Sequence, residues 1–150
     1  MDQLPIWLGL KGRPVKVAGT GTAASAKARL AVQAGAAVTL FSPVLDEDSA
    51  ELVSSGAARF EARSFCPDDA TDAALVFSAT GSESEDRIVA EAAKAAGVPV
   101  NVVDRPTLST FLMPAIVDRG PVVVGISTGG ASPALAVRVR AKIEAVLPHR

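Results

Sequence analysis

Val15-Lys16-Val17-Ala18 runs directly into Gly19-Thr20-Gly21-Thr22-Ala23-Ala24, and residues of these types at this spacing can hold a diphosphate. Gly19, Gly21 and Ala24 fit the pattern G-x-G-x-x-G/A. The first glycine makes a tight turn, the second lets a pyrophosphate approach the backbone, and the small third residue lets helix and strand pack closely. The anion then rests on the unpaired N–H groups at a helix N-terminus, where the helix dipole favours it. The bare motif is weak, because a plain tight turn between a strand and a helix would use the same glycines. Its context, with a β-branched run before it and an Ala-rich stretch after it, favours a nucleotide.

The second half of the fingerprint is missing. An acid is expected about 20 residues on, at the end of the second strand, to hold the ribose hydroxyls. That place reads Phe41-Ser42-Pro43-Val44, with no carboxylate. Ser42 can make one hydrogen bond, and the Pro43 and Val44 backbone can line an adenine pocket. Asp46 is the nearest acid and is expected to cap the following helix. No Arg follows the strand immediately to meet a 2′-phosphate, so NAD is preferred to NADP. Other chemistries are nearly excluded. The only histidine is His149, there is no tyrosine, and Cys66 is the only cysteine. A His-based triad, a Cys/His metal site and a Tyr-Lys reductase pair are therefore not expected, and no metal-binding residue is assigned. Acid–base work falls to carboxylates, Lys, Ser or Thr, or to the substrate.

The elements that must position these residues alternate. Val15–Ala18 reads as a buried strand and Thr22–Ala34 as a helix, with Gly35 at its end. Ala36–Ser42 is a second strand and Asp46–Ser54 a short polar helix. Ala58–Ser64 alternates like a half-buried strand, and Ala73–Thr80 is apolar throughout, like a strand covered on both faces. Glu83–Ala96 follows as a helix with Ile88, Val89, Ala92, Ala93 and Ala96 as its apolar stripe, and then Val98–Asp104 as a strand. This is the pattern of an α/β fold: a Rossmann-like parallel sheet with helices on both faces. After Asp104 the pattern changes to two strands around Asp118-Arg119-Gly120-Pro121. A helix then opens at Ser132 as N-cap and Pro133 as first helical residue, with Leu135, Val139, Ile143 and Val146 on one face. A hairpin and a helix are too small to bury their own apolar surface, and Val122–Ile126 is too hydrophobic for an open edge. Dimerisation through this segment is the expected solution.

The chain has 150 residues, which suits one domain with a small appendage. Its 15 basic and 16 acidic residues nearly cancel, unlike a nucleic-acid-binding protein. The last third is nonetheless net basic, which suits an anionic ligand. One cysteine fits a reducing compartment, the first ten residues do not read as a signal peptide, and no apolar run is long enough to span a bilayer. A cytoplasmic protein, with no nucleic-acid or membrane partner, is expected.

Met1–Arg13, Asn101-Val102-Val103-Asp104 and Phe111–Pro133 together resemble the precorrin-2 dehydrogenase/sirohydrochlorin ferrochelatase module of siroheme synthases, over essentially the whole chain. The resemblance implies NAD at Gly19, Gly21, Thr22, Ala23 and Ala24, with Ser42, Pro43 and Val44 under the adenosine and Thr80 near the cofactor. It implies that precorrin-2, a reduced tetrapyrrole with eight carboxylates, gives up a hydride to NAD and becomes sirohydrochlorin. Asp104 would be the general acid/base. Bifunctional members insert Fe²⁺ in the same cleft, which makes Fe²⁺ a candidate second substrate. The module divides into a cofactor-binding part, 1–106, and a dimerisation and substrate-binding part, 107–150, with the cleft between subunits of a homodimer. The usual C-terminal helical domain is absent, so the chain is either a dehydrogenase-only form or a fragment of a longer synthase.

Bland readings stand beside these roles. Asp104 precedes Arg105-Pro106 and could be a turn residue. Asn101 either contacts substrate or ties down a loop. Ser127, Thr128, Gly129 and Gly130 offer hydroxyls and N–H groups that could cradle a substrate carboxylate, or could only cap a helix. Arg138, Arg140 and Lys142 read as a solvated face, Lys27 and Arg29 as surface charges, Met113 as core and Trp7 as an anchor for the N-terminal segment. Gly81-Ser82 stands where family members often carry acids, and Thr128 where some have a serine that is phosphorylated. A regulatory NAD(H)-binding module without catalysis is the main rival; it would have no reason to bind a tetrapyrrole. An enzyme acting on another polyanion is a third reading.

Overall fold

The computed structural model describes residues 1–147 and 149; Pro148 and Arg150, at the end of the segment assigned to 107–150, lie outside the described residues. It divides into two compact units, Trp7–Phe111 and Met1–Ile6 with Leu112–Arg150.

The larger unit carries β1 (Pro14–Gly19), α1 (Gly21–Gln33), β2 (Ala37–Phe41), α2 (Glu47–Ser54), β3 (Ala58–Glu61), a 3₁₀ turn (Pro67–Ala70), β4 (Leu75–Ala79), α3 (Glu83–Ala95) and β5 (Val100–Val102). The five strands form one parallel sheet in the order β3-β2-β1-β4-β5. From β1 the chain winds outward to β2 and β3, then returns to the other side of β1 for β4 and β5. Right-handed crossovers therefore put α1 and α2 on one face and α3 on the other. Val15, Val17, Leu40, Val76 and Val100 are fully buried at the centre, each contributing about 1.5–3 kcal/mol by leaving water.

The elements form where the periodicity puts them, with differences at their ends. β3 stops at Glu61 rather than Ser64 because Arg63 turns away to grip Asp69, with two bonds of 2.8 Å. β5 is only three residues long, since past Val102 the chain turns through Asp104 with φ +61°. The 3₁₀ turn has no apolar period that would announce it. The expected stripe of α3 is corrected: Asp86, Val89, Ala90 and Ala93 are its buried residues, while Ile88 and Ala96 are exposed. An acid occupies the stripe because hydrogen bonds satisfy it there. Trp7 does not anchor the N-terminal segment. It lies outside any helix or strand and is 67% exposed.

In the smaller unit β6 (Ala115–Arg119) and β7 (Val122–Ile126) pair antiparallel around Asp118–Pro121, and α4 (Pro133–Val146) packs against them. Ser132 caps α4 by accepting from the Leu135 N–H at 3.3 Å. Val117 is its fully buried apolar residue. The face expected on α4 is only partly covered: Val139 and Ile143 are half-buried, while Leu135 and Val146 are exposed.

Candidate functional site

The turn from β1 to α1 is fixed by the sheet itself. A Cβ on Gly19 would stand 2.2 Å from the Ala79 carbonyl oxygen on β4, so no side chain fits. Gly21 has φ +91°, which L-residues rarely adopt. Ala24, on the inner side of α1, is fully buried, as close helix–strand packing requires, while Thr22 and Ala23 stand exposed in the helix's first turn. The N-cap Thr20 makes no side-chain bond to that turn.

A cavity of about 380 Å³ opens beside this turn. It lies at the C-terminal ends of β1, β2 and β4, where the strand order changes direction and parallel sheets bind their ligands. Gly19, Ser42, Pro43 and Thr80 line it, as do Ser64, Phe65, Glu85 and Ile88, which sequence reasoning missed. Ser64 and Phe65 follow a strand end on the same edge of the sheet, which is the signal that could have found them. Their loop is held by Arg63 and by Asp69, which accepts from the Cys66 N–H at 2.7 Å. The Arg63 bond, with the Cys66 bond in support, holds the Asp69 carboxyl below its usual range against the opposing effect of burial. Phe65 packs edge-on against Phe41, ring centres 5.5 Å apart. Val44 is not in the cavity wall and is 71% exposed.

Thr80 belongs to a buried polar network. Asp86, 2% exposed, accepts from the Ser78 hydroxyl at 2.7 Å, the Thr80 hydroxyl at 2.7 Å and the Thr80 N–H at 3.2 Å. Its other oxygen accepts from Arg105 Nε at 3.2 Å. Burial works against its charge, but the bonds from Ser78, Thr80 and Arg105 outweigh burial and hold the carboxyl below its usual range. Gly81-Ser82 gives a well-made loop without acids: the Ser82 N–H donates to the Thr80 hydroxyl at 3.2 Å, and Ser82 caps α3. One carboxylate thus joins the loop after β4 to the turn after β5. An acid at a stripe position of α3 was the sequence signal for it.

That second turn carries Asp104. Among the described residues it is the one non-glycine with positive φ, a conformation short polar side chains tolerate. Its carboxylate is exposed. Lys27, half-buried on α1, faces it electrostatically: burial pushes the Lys27 ammonium down, and the Asp104 charge opposes that shift. Asn101 is buried and donates to the Phe111 carbonyl at 3.0 Å, tying down the segment after β5. In the smaller unit, the Ser127 and Thr128 hydroxyls accept from the Gly129 N–H at 3.1 Å and the Ser132 N–H at 3.0 Å. One of the N–H groups expected to be free for a carboxylate, that of Gly129, is therefore used within the loop. Met113 is half-buried. Arg138, Arg140 and Lys142 are exposed, with Arg140 paired to Glu144 at 3.0 Å. Arg29 reaches across to α2, donating to the Asp48 carbonyl at 3.0 Å.

Comparison with known proteins places these features in a family. The family described as "Putative NAD(P)-binding" matches residues 6–115, and the one described as "Sirohaem biosynthesis protein central" matches 119–145. The chain is 44% identical to a siroheme synthase of Nitrosomonas europaea and 45% to siroheme synthase 1 of Aeromonas salmonicida, in each case over 99% of this chain. It spans about a third of the length of those relatives, 31% and 32%. Among solved structures, SirC, a precorrin-2 dehydrogenase, superposes with TM-score 0.82 at 26% identity, covering 97% of this chain and 72% of that one. The chain belongs to this NAD(P)-binding family and is a homologue of siroheme synthases along its whole length.

Proposed function

We propose that the protein oxidises precorrin-2 to sirohydrochlorin with NAD⁺ as the acceptor. The observation that carries this reading is the carboxylate of Asp104, exposed at the C-terminal edge of the sheet whose neighbouring strands carry the dinucleotide loop and cavity. The likeness to siroheme synthases and to SirC supports the choice of substrate. Dehydrogenation removes a hydride and a proton. The hydride acceptor is NAD⁺, bound by Gly19, Gly21, Thr22, Ala23 and Ala24, with Ser42, Pro43 and Val44 on the adenosine side and Thr80 near the cofactor. Asp104 takes the proton, so the products are sirohydrochlorin, NADH and H⁺. Asn101 and the Ser127–Gly130 loop are the substrate-binding residues of this reading, the loop holding carboxylates of the ring. Fe²⁺ could be a second substrate: the ring nitrogens would be its ligands, and Asp104 could receive the protons they release. A reducing, cytoplasmic setting fits the single Cys66. Incubation with precorrin-2 and NAD⁺ should give NADH in step with sirohydrochlorin. A folded protein that forms neither would overturn the assignment.

The working unit of this reading is a homodimer, with 1–106 serving the cofactor and 107–150 the partner and substrate. Exposed Val122, Val123, Leu135, Val137 and Val146 in one small unit support it, since such a surface is unfavourable in water. Sedimentation at micromolar concentration should give twice the 15.3 kDa of the chain; a monomer there would refute the dimer.

A further inference from the structure

The acid missing from the end of β2 is supplied, we propose, by Asp46 at the N-cap of α2, and its carboxylate selects NAD(H) against NADP(H). The inference rests on the dinucleotide reading of the loop. In that reading an acid beside the glycines accepts the hydroxyls of the adenosine ribose and has no favourable way to meet a 2′-phosphate. Residues 42–44 offer no carboxylate. Asp46 does so from further along the chain, because one of its oxygens accepts the N–H of Gly21, the second fingerprint glycine. Its other oxygen accepts the Ser49 N–H at 3.1 Å and caps α2. One bond holds the carboxylate to the loop and the other to α2, yet a carboxylate has about four acceptor sites, so capacity remains for sugar hydroxyls. The diphosphate keeps its own donors, because Thr22 and Ala23 lie in the first turn of α1, whose N–H groups have no partner within the helix.

The surroundings do not oppose the selectivity. Asp48 accepts the Thr22 hydroxyl at 3.1 Å and adds a second negative charge at this corner. The arginines from α1 and from the loop after β3 are each engaged with an acid. Arg29 lies 3.5 Å from Glu51, and Arg63 holds Asp69 with two bonds of 2.8 Å while lying over the Phe41 ring.

The test is calorimetric titration of the whole chain with NADH and with NADPH, which needs no turnover. Wild type should bind NADH at least about 50-fold more tightly. Asp46→Ser, which keeps a good helix cap, should lose about tenfold in NADH affinity and bring the two cofactors to within about fivefold. Asp46→Asn, which retains the shape, should relax the discrimination without the charge. Asp48→Asn should leave the ratio within about twofold. An unchanged ratio in both Asp46 variants overturns the assignment, and so does an equal effect from Asp48→Asn, which would make the selectivity one of diffuse charge. Failure of wild type to bind either cofactor would overturn the dinucleotide reading as well, so the two failures are distinguishable.

Discussion

Asp104→Asn is expected to lower the rate of NADH formation from precorrin-2 by about 10²–10⁴-fold, the usual contribution of a positioned general base. Asparagine is the informative replacement. Asp104 sits at φ +61°, where asparagine is tolerated and alanine is strained by roughly 1–2 kcal/mol. The variant therefore keeps the turn after β5 and loses only the proton acceptor. NADH affinity by titration should stay within about twofold, and the melting temperature within a degree or two. Turnover equal to wild type would remove Asp104 from the proton-handling role and leave it a turn residue. A collapse of cofactor affinity would point instead to a structural role for the charge facing Lys27.

Asp86→Ala is expected to have the largest effect on stability, a loss of about 3 kcal/mol or roughly 10 °C in melting temperature. Removal of one buried carboxylate strips the partner from two hydroxyls, one N–H and a guanidinium together. Asp86→Asn keeps an acceptor for Ser78 and Thr80 and loses the ion pair, so it should fall between the two. The folded-state pKa of Asp86 is depressed, so its contribution is complete above the unfolded value near ~3.9 and is lost as pH falls through the lower folded value. The gap between wild type and Asp86→Asn should therefore be constant from pH 7 to about 5 and close below about pH 4. Chemical denaturation across that range measures it. A loss below about 1 kcal/mol for Asp86→Ala at pH 7 would mean that the network is not a stabilising unit.

The alternating elements were legible because each strand of the sheet is covered and each helix needs one apolar side, so hydrophobic period and position agree. The loop at Gly19–Ala24 was legible for the same reason, since its glycines answer to backbone geometry. Asp46 was legible only as a helix cap, a local relation across three residues. Its second bond, to Gly21 across 25 residues, depends on how β2 delivers α2 beside α1. Asp86 and Arg105 are 19 residues apart and meet only because β4 and β5 are neighbours. The stripe of α3 was misread because a carboxylate with four donors behaves there as a core residue, while Ile88 borders the cavity. Trp7 shows the opposite failure: it was expected to anchor the N-terminal segment, yet it stands 67% exposed.

The first glycine of the loop has a wider implication. The carbonyl of Ala79 occupies the space where a methyl at position 19 would go, so the demand for glycine comes from the closeness of β1 and β4. Gly21 is held to glycine by its own backbone angle. Both would persist in a descendant that had stopped binding any cofactor. The motif is thus a fossil of how two strands and a helix meet, and loss of function would first become visible at carboxylates the motif does not contain.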